Sequence, residues 1–174
     1  MSECAWLVDM GYVVKTAKKT GVKLDYLSAK ALLSKLYGPT AAYLFNSFDE
    51  AYGISDGLRG FYHAMAQQGM VVCLHPMSGN TAAGDHRQRR VDVDLACHAV
   101  WQASLSDVER IVLTTGDQDM SPAAKLCQDQ LGVQVVLFTF RRDVSKALAD
   151  LANEHLYFED YRETLSKTAT KPPG

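Results

Sequence analysis

The sequence predicts a three-layer α/β/α sandwich around a parallel five-stranded sheet of order 3-2-1-4-5. Three observations carry the prediction. Short apolar runs recur as continuous stretches, the pattern of strands covered on both faces, where a half-exposed sheet would alternate apolar and polar residues. Segments of helical period separate these runs, so each strand is carried back parallel to its predecessor. Right-handed crossovers then let strands one, two and three wind outward in one direction and strands four and five in the other. A length of 174 residues suits one domain with a sizeable core. Residues 1–160 are expected to form it, with 161–174 a polar, flexible tail.

Taken in order, Ala5-Trp6-Leu7-Val8 is strand one, ending at Asp9 before Gly11. A basic stretch from Val13 to Lys19 follows. Residues 25–36 then read as a helix, with Leu24, Leu27, Ala31, Leu32 and Leu36 spaced near the helical period and Gly38-Pro39 as the stop. Ala42-Tyr43-Leu44-Phe45 is strand two, and Asn46, Ser47, Asp49 and Asp56 fall in the loop after it. A helix over 57–68 turns Leu58, Phe61 and Met65 inward, Gly69 ends it, and Met70 to Leu74 is strand three. From His75 to Arg90 the composition turns to Gly, Ser, Asn, Thr and basic residues, a loop long enough to suggest a functional reason. A helix from Asp92 to Ser104, strand four at 110–115, a helix over 123–131, strand five at 133–138 and a helix over 145–153 complete the alternation. His155 to Phe158 is a short extended piece.

Composition, 47% apolar and 22% charged, is that of a soluble globular protein, and no apolar run approaches the roughly 18 residues of a membrane span. The N-terminus enters an apolar run containing Asp9 with no basic leader, so no signal peptide is expected. Cys4, Cys73, Cys97 and Cys127 are isolated and lack CxxC spacing, which points to reduced thiols in a cytoplasmic protein. A net charge of -2 argues against a generally basic nucleic-acid-binding surface. Half of the 18 Lys and Arg residues nonetheless fall in three clusters: Lys15, Lys18, Lys19 and Lys23; Arg87, Arg89 and Arg90; Arg141 and Arg142.

The carboxylates carry the chemistry. Asp9 ends strand one, while Asp117 and Asp119 follow strand four in the turn Thr114-Thr115-Gly116-Asp117-Gln118-Asp119-Met120-Ser121-Pro122. In open α/β sheets ligands bind where the winding reverses, outside the carboxyl ends of the strands, and here that point lies between strands one and four. Asp92 supplies a third position: at about 100° per residue it falls in the helical stripe of Leu95, Ala96, Ala99 and Ala103 that should face the sheet. Asp94 and His98 share the other side of that helix. Acids gathered at such a crevice suit a hard divalent cation, because buried unpaired carboxylates are costly. The structural alternatives are an N-cap role for Asp92 and turn-forming roles for Asp9, Asp117 and Asp119. Ser121 followed by Pro122 reads as N-cap and first residue of the next helix, which would leave Asp117 and Asp119 free. No G-x-G-x-x-G or P-loop segment points to dinucleotide or NTP binding.

The segments Ala5-Trp6-Leu7-Val8-Asp9, Gln88-Arg89-Arg90-Val91-Asp92-Val93-Asp94-Leu95-Ala96-Cys97-His98-Ala99 and Thr115-Gly116-Asp117-Gln118-Asp119-Met120-Ser121-Pro122, in this order and spacing, resemble the NYN (LabA-like) branch of the PIN-like metal-dependent ribonucleases. The resemblance runs from Trp6 to about Tyr157 and implies a PIN-like sandwich. It also implies that Asp9, Asp92, Asp117 and Asp119 hold Mg²⁺ or Mn²⁺ for hydrolysis of RNA phosphodiesters. Two positions depart from the pattern. Asp9 is followed by Met10-Gly11-Tyr12, with no Asn within a few residues, and His98 stands where a second helical Asp is usual; His98 could supply a proton, alter metal preference or mark a weakened enzyme. Expected partners are single-stranded or locally unpaired RNA, held by phosphate contacts from Lys15, Lys18, Lys19, Arg87, Arg89, Arg90, Arg141 and Arg142 with Tyr12 stacking a base. A homodimer is left open. The competing readings are an RNA- or nucleotide-binding module that has lost catalysis, and a phosphatase of the haloacid-dehalogenase type or a phospho-acceptor domain, which share strand-end aspartates. The phosphatase wants an Asp two residues after the first, where this chain has Gly11.

Overall fold

The computed structural model describes residues 3–77 and 89–165. In chain order the elements are β1 (Cys4–Asp9), α1 (Met10–Thr20), α2 (Tyr26–Tyr37), β2 (Thr40–Asp49), α3 (Asp56–Gln67), β3 (Met70–Met77), α4 (Arg89–Ala103), β4 (Arg110–Thr114), α5 (Ser121–Asp129), β5 (Gln134–Thr139), α6 (Lys146–Leu151), β6 (Glu154–Tyr157) and α7 (Arg162–Leu165). The strands form one sheet of order 3-2-1-4-5-6, and every pairing in it is parallel. The expected reversal therefore lies between β1 and β4, with one strand more than the five expected. The sixth, β6, is the extended piece near His155. Four residues are too few to show a pattern, and β6 gains its strand character from its ladder with Val136 to Thr139.

Helices cover both faces of the sheet. Trp6, Val8, Leu44, Val112 and Phe138 point to the face packed by Val13, Ala29, Leu33 and Met65 of α1, α2 and α3. Leu7, Phe45, Leu113 and Leu137 point to the other, against Leu95, Ala99, Cys127 and Leu148 of α4, α5 and α6. This is the period-two alternation of a strand with apolar residues on both sides. Among the described residues no helix is long and apolar enough to cross a membrane.

Three elements differ from expectation. The basic stretch after Asp9 is the helix α1, whose β-branched Val13, Val14 and Thr16 dilute the sequence signal for helix although its buried face is regular. β2 and β3 run on to Asp49 and Met77, so Asn46, Ser47, Asp49 and His75 sit in strands, not loops. Polar side chains and Pro76 end the apolar signal early, yet Pro76 lies on the edge strand β3, where its missing N–H is tolerated. The chain also stays in the fold past residue 160: Leu165 is buried, and its carbonyl accepts the Asp25 N–H at 2.9 Å. The rest of the expected tail, 166–174, and the loop residues 78–88 lie outside the described residues.

A buried hydrogen-bond relay ties the centre of the sheet together. The Trp6 indole N–H donates to Thr114 Oγ1 at 2.8 Å, and the Thr114 hydroxyl donates to the Phe138 carbonyl at 2.7 Å, linking β1, β4 and β5 through side chains. Thr114→Val keeps the shape but leaves the indole N–H without an acceptor, so it should lower stability by about 1–3 kcal/mol in equilibrium urea unfolding. The same change made on a Trp6→Phe background should cost less, because no buried donor is then stranded.

Candidate functional site

Asp9 closes β1 and caps α1: its Oδ1 accepts the Tyr12 N–H at 3.0 Å. Its Oδ2 accepts the Thr115 hydroxyl at 3.4 Å, from the residue that follows β4. The side chain is 2% exposed. Burial pushes its carboxyl above the ordinary range and the charge of Asp117 adds to this, against the lowering effect of the hydrogen bonds.

Asp117 caps a 3₁₀ turn at Gln118–Met120, its Oδ1 accepting the Asp119 N–H at 2.9 Å. The expectation that Ser121 caps the next helix is corrected here. Ser121 is the first residue of α5, Met120 precedes it without a side-chain cap bond, and the Ser121 hydroxyl is buried with no hydrogen-bond partner. The 3₁₀ turn runs directly into α5 and moves the capping role back to Asp117. Gly116 is needed for close approach: a Cβ there would sit 1.7 Å from the Asp143 carbonyl oxygen. The Ser145 N–H donates to the Gly116 carbonyl at 2.9 Å, so the loop between β5 and α6 is seated on the acidic turn. Asp143 itself holds a φ of 60°, a left-handed conformation that Asp tolerates better than most residues.

Asp92 is the fourth residue of α4, inside its first turn, which rules out the N-cap alternative. Its stripe faces the sheet as expected, with Leu95, Ala99 and Ala103 buried. Its carboxyl is pushed up to about 7, first by burial and then by the charges of Asp9, Asp117 and Asp119. Four carboxylates from three separate segments thus share one electrostatic field. A cavity of about 340 Å³ opens over these strand ends, lined by Asp9, Thr115 and Asp117 together with Tyr12, Lys15, Asn46 and Asp143.

The other expected site residues are placed less uniformly. Lys15 lines the cavity from α1. Lys18 and Lys19 lie in the last turn of α1, Lys19 in an ion pair with Asp143 at 2.6 Å. Arg141 pairs with Asp160 and lies 4.3 Å over the Tyr157 ring, and Arg142 is exposed. Arg89 opens α4, Arg90 beside it is exposed, and Arg87 lies outside the described residues. Tyr12 is on the cavity wall but only 7% exposed. Its ring packs edge-on against Phe140, and its hydroxyl donates to the Arg142 carbonyl and accepts from the Phe140 N–H, so it offers no open face for a base. His98 does not join the four acids. Its Nδ1 is 3.0 Å from the Asp94 carboxylate, its ring packs on Tyr43 and Phe45, and Asp94 also bonds His75 at 2.8 Å.

Sequence reasoning missed Asn46, Thr115 and Asp143. Asn46 is the first polar residue after the apolar run Ala42 to Phe45 and could have been found there, whereas Asp143 follows Arg141 and Arg142 and only the packing of the two loops reveals that it reaches Gly116. Asn46 also brings to the cavity, from β2, an amide that is absent after Asp9.

The donor chemistry of the four carboxylates fits a hard divalent cation: all are oxygen ligands, and two are held above their ordinary pKa by burial and like charge. Among the described residues no group of three or more His, Cys, Asp or Glu side chains is arranged to hold a metal ion. Oδ1 of Asp9 and Oδ1 of Asp117 are turned into cap hydrogen bonds instead.

A doubly wound parallel sheet with carboxylates at its switch point is the architecture of the PIN-like, nuclease-type α/β/α sandwiches. Within that class the chain belongs to the NYN domain family, whose model matches residues 4–160. The chain is also similar to the crystal structure of VPA0982, a protein of unknown function from Vibrio parahaemolyticus RIMD 2210633. The TM-score is 0.77 at 22% identity, over 91% of this chain and 94% of that one. That likeness shows the fold. No curated protein matches at a significant level.

The raised pKa of Asp92 has a signed consequence. Below its ordinary value of 3.8 both the folded and unfolded chains carry the proton; as pH rises the unfolded chain releases it first, so the folded state loses stability until pH passes about 7. Asp92→Asn cannot ionise. In metal-free buffer it should melt above the wild type at pH 8, and the gap should close toward pH 4. Calorimetric melts at the two pH values check this, and a wild type that melts no lower at pH 8 would remove the repulsion.

Proposed function

We propose that this chain is a metal-dependent ribonuclease that hydrolyses RNA phosphodiester bonds at the β1/β4 crevice. The observation that carries the proposal is the convergence of Asp9, Asp92 and Asp117 on one field, with Asp9 and Asp117 lining the same cavity as Lys15. Asp9, Asp92, Asp117 and Asp119 would hold Mg²⁺ or Mn²⁺. Such an ion supplies Lewis acidity toward the phosphodiester and an acidified water. The chain's own residues do the rest. Lys15 offsets the charge of a phosphate brought into an acidic cavity, and Thr115 and the Tyr12 N–H hold the Asp9 carboxylate in one orientation. The loop locked onto Gly116 keeps the Asp117 turn in place. Exposed Lys18, Arg90 and Arg142 extend the positive rim toward a single strand whose bases are not paired.

A second reading, an RNA-binding module without cleavage, is favoured by His98, which is engaged with Asp94 and away from the acids. One assay separates the two. With labelled single-stranded RNA and Mn²⁺, the wild type should cut, while Asp9→Asn and Asp117→Asn should lose more than about 100-fold in rate, beyond the usual effect of losing a group that only supports a ligand. The variants should keep wild-type circular dichroism. Binding without Mn²⁺-dependent cutting by the wild type would establish the second reading, and unfolded variants would make the acids structural. Mn²⁺ should also raise the melting temperature more at pH 8 than at pH 6, since protons compete for Asp92.

A further inference from the structure

Asn46 stands on β2 one residue beyond Phe45, the sheet partner of Asp9, and lines the cavity with it. Two contacts hold its amide. The Ser47 backbone N–H donates to Oδ1 at 2.9 Å, and because an N–H can only donate, this fixes which end of the amide is oxygen. Nδ2 then lies 2.9 Å from the Tyr62 hydroxyl on α3 and gives it one hydrogen. The second Nδ2 hydrogen has no partner among the described residues.

This arrangement presents a neutral donor, already oriented, on the wall of a cavity whose other fixed charges include Asp9, Asp117 and Asp143. A group held at both ends gives up little freedom when it binds. An anionic phosphodiester entering among carboxylates needs donors that add no negative charge of their own. Lys15 supplies a cation from α1, and Asn46 a directed N–H from β2. Asn46 is also suited to this by what it lacks: an Asp of the same shape would repel the substrate.

We propose that Asn46 is a substrate-binding residue whose free Nδ2 hydrogen donates to a non-bridging oxygen of the RNA phosphodiester, with Tyr62 as its positioning residue. The proposal rests on the ribonuclease reading above and adds a contact to it. The test measures binding of a fluorescent single-stranded RNA oligonucleotide by anisotropy with Ca²⁺ in place of Mn²⁺, and cleavage of the same oligonucleotide with Mn²⁺. Asn46→Ala should weaken binding by roughly tenfold, in line with the loss of one hydrogen bond to a charged group, and raise KM by a similar factor with a smaller change in kcat. Asn46→Asp should weaken binding further, and Tyr62→Phe, which keeps the amide but frees it, should weaken it less than either. Asn46→Ala and Tyr62→Phe should keep the wild-type rise in melting temperature on adding Mn²⁺, which a damaged acidic site would not. If Asn46→Ala and Asn46→Asp bind RNA as the wild type does while the wild type cuts, the assignment of Asn46 is overturned and the ribonuclease reading stands. Loss of the Mn²⁺ shift in Asn46→Ala with unchanged RNA affinity would also overturn it, by moving Asn46 to the acidic site. A wild type that neither binds nor cuts RNA overturns both.

Discussion

The parallel pairing of β1 with β4, in register from Cys4 beside Arg110 to Val8 beside Thr114, decides where the carboxylates of this chain end up. Both strands stop at the same level, so the residues that leave them, Asp9 on one side and Thr115 to Asp117 on the other, emerge next to each other. The chain turns away from β1 toward α1 and away from β4 toward the 3₁₀ turn and α5, which leaves a crevice between the two exits. The Trp6, Thr114 and Phe138 relay reinforces that register with side-chain bonds that a one-residue slip would break.

Because the crevice is a product of topology, it collects whatever the adjoining turns carry, and here they carry negative charge. Asp9 is buried and hydrogen-bonded, yet its carboxyl is still pushed up. Asp92 arrives from α4 across the sheet and meets the fields of three other acids. A protein that needed only stability would gain by replacing one of these acids with an amide, since like charges in a poorly solvated crevice oppose folding. Their presence together is the physical ground for reading the crevice as functional, and membership of the NYN domain family is the independent one.

Much of the frame was legible in the sequence. Continuous apolar runs marked five strands, and the right-handed crossover rule turned their order into 3-2-1-4-5 with Asp9 and Asp117 at the reversal. The Asp92 stripe with Leu95, Ala99 and Ala103 was equally direct, because a helix that rests on a sheet must show its buried residues at the helical period. What escaped were features whose cause is non-local. α1 has a weak local signal and is fixed by the Asp9 cap and by packing on the sheet. β6 exists through its ladder with β5. The extension of β2 and β3 past the end of β1 depends on each lying beside the other, from Asn46 opposite Leu74 to Asp49 opposite Met77.

The candidate site divides in the same way. Sequence alone determined the fold class, the switch point and the acids it brings together, since periodicity and chirality act over a few residues and every strand obeys them. Tertiary structure decided which polar groups face that switch point. It turned Tyr12 into a packed wall, engaged His98 with Asp94, set Asp143 against Gly116, and brought Asn46 to the cavity from a strand more than thirty residues away from Asp9. Those outcomes depend on contacts between segments far apart in the chain, where a single ångström of approach decides whether a side chain is free or engaged, and no local pattern encodes that distance.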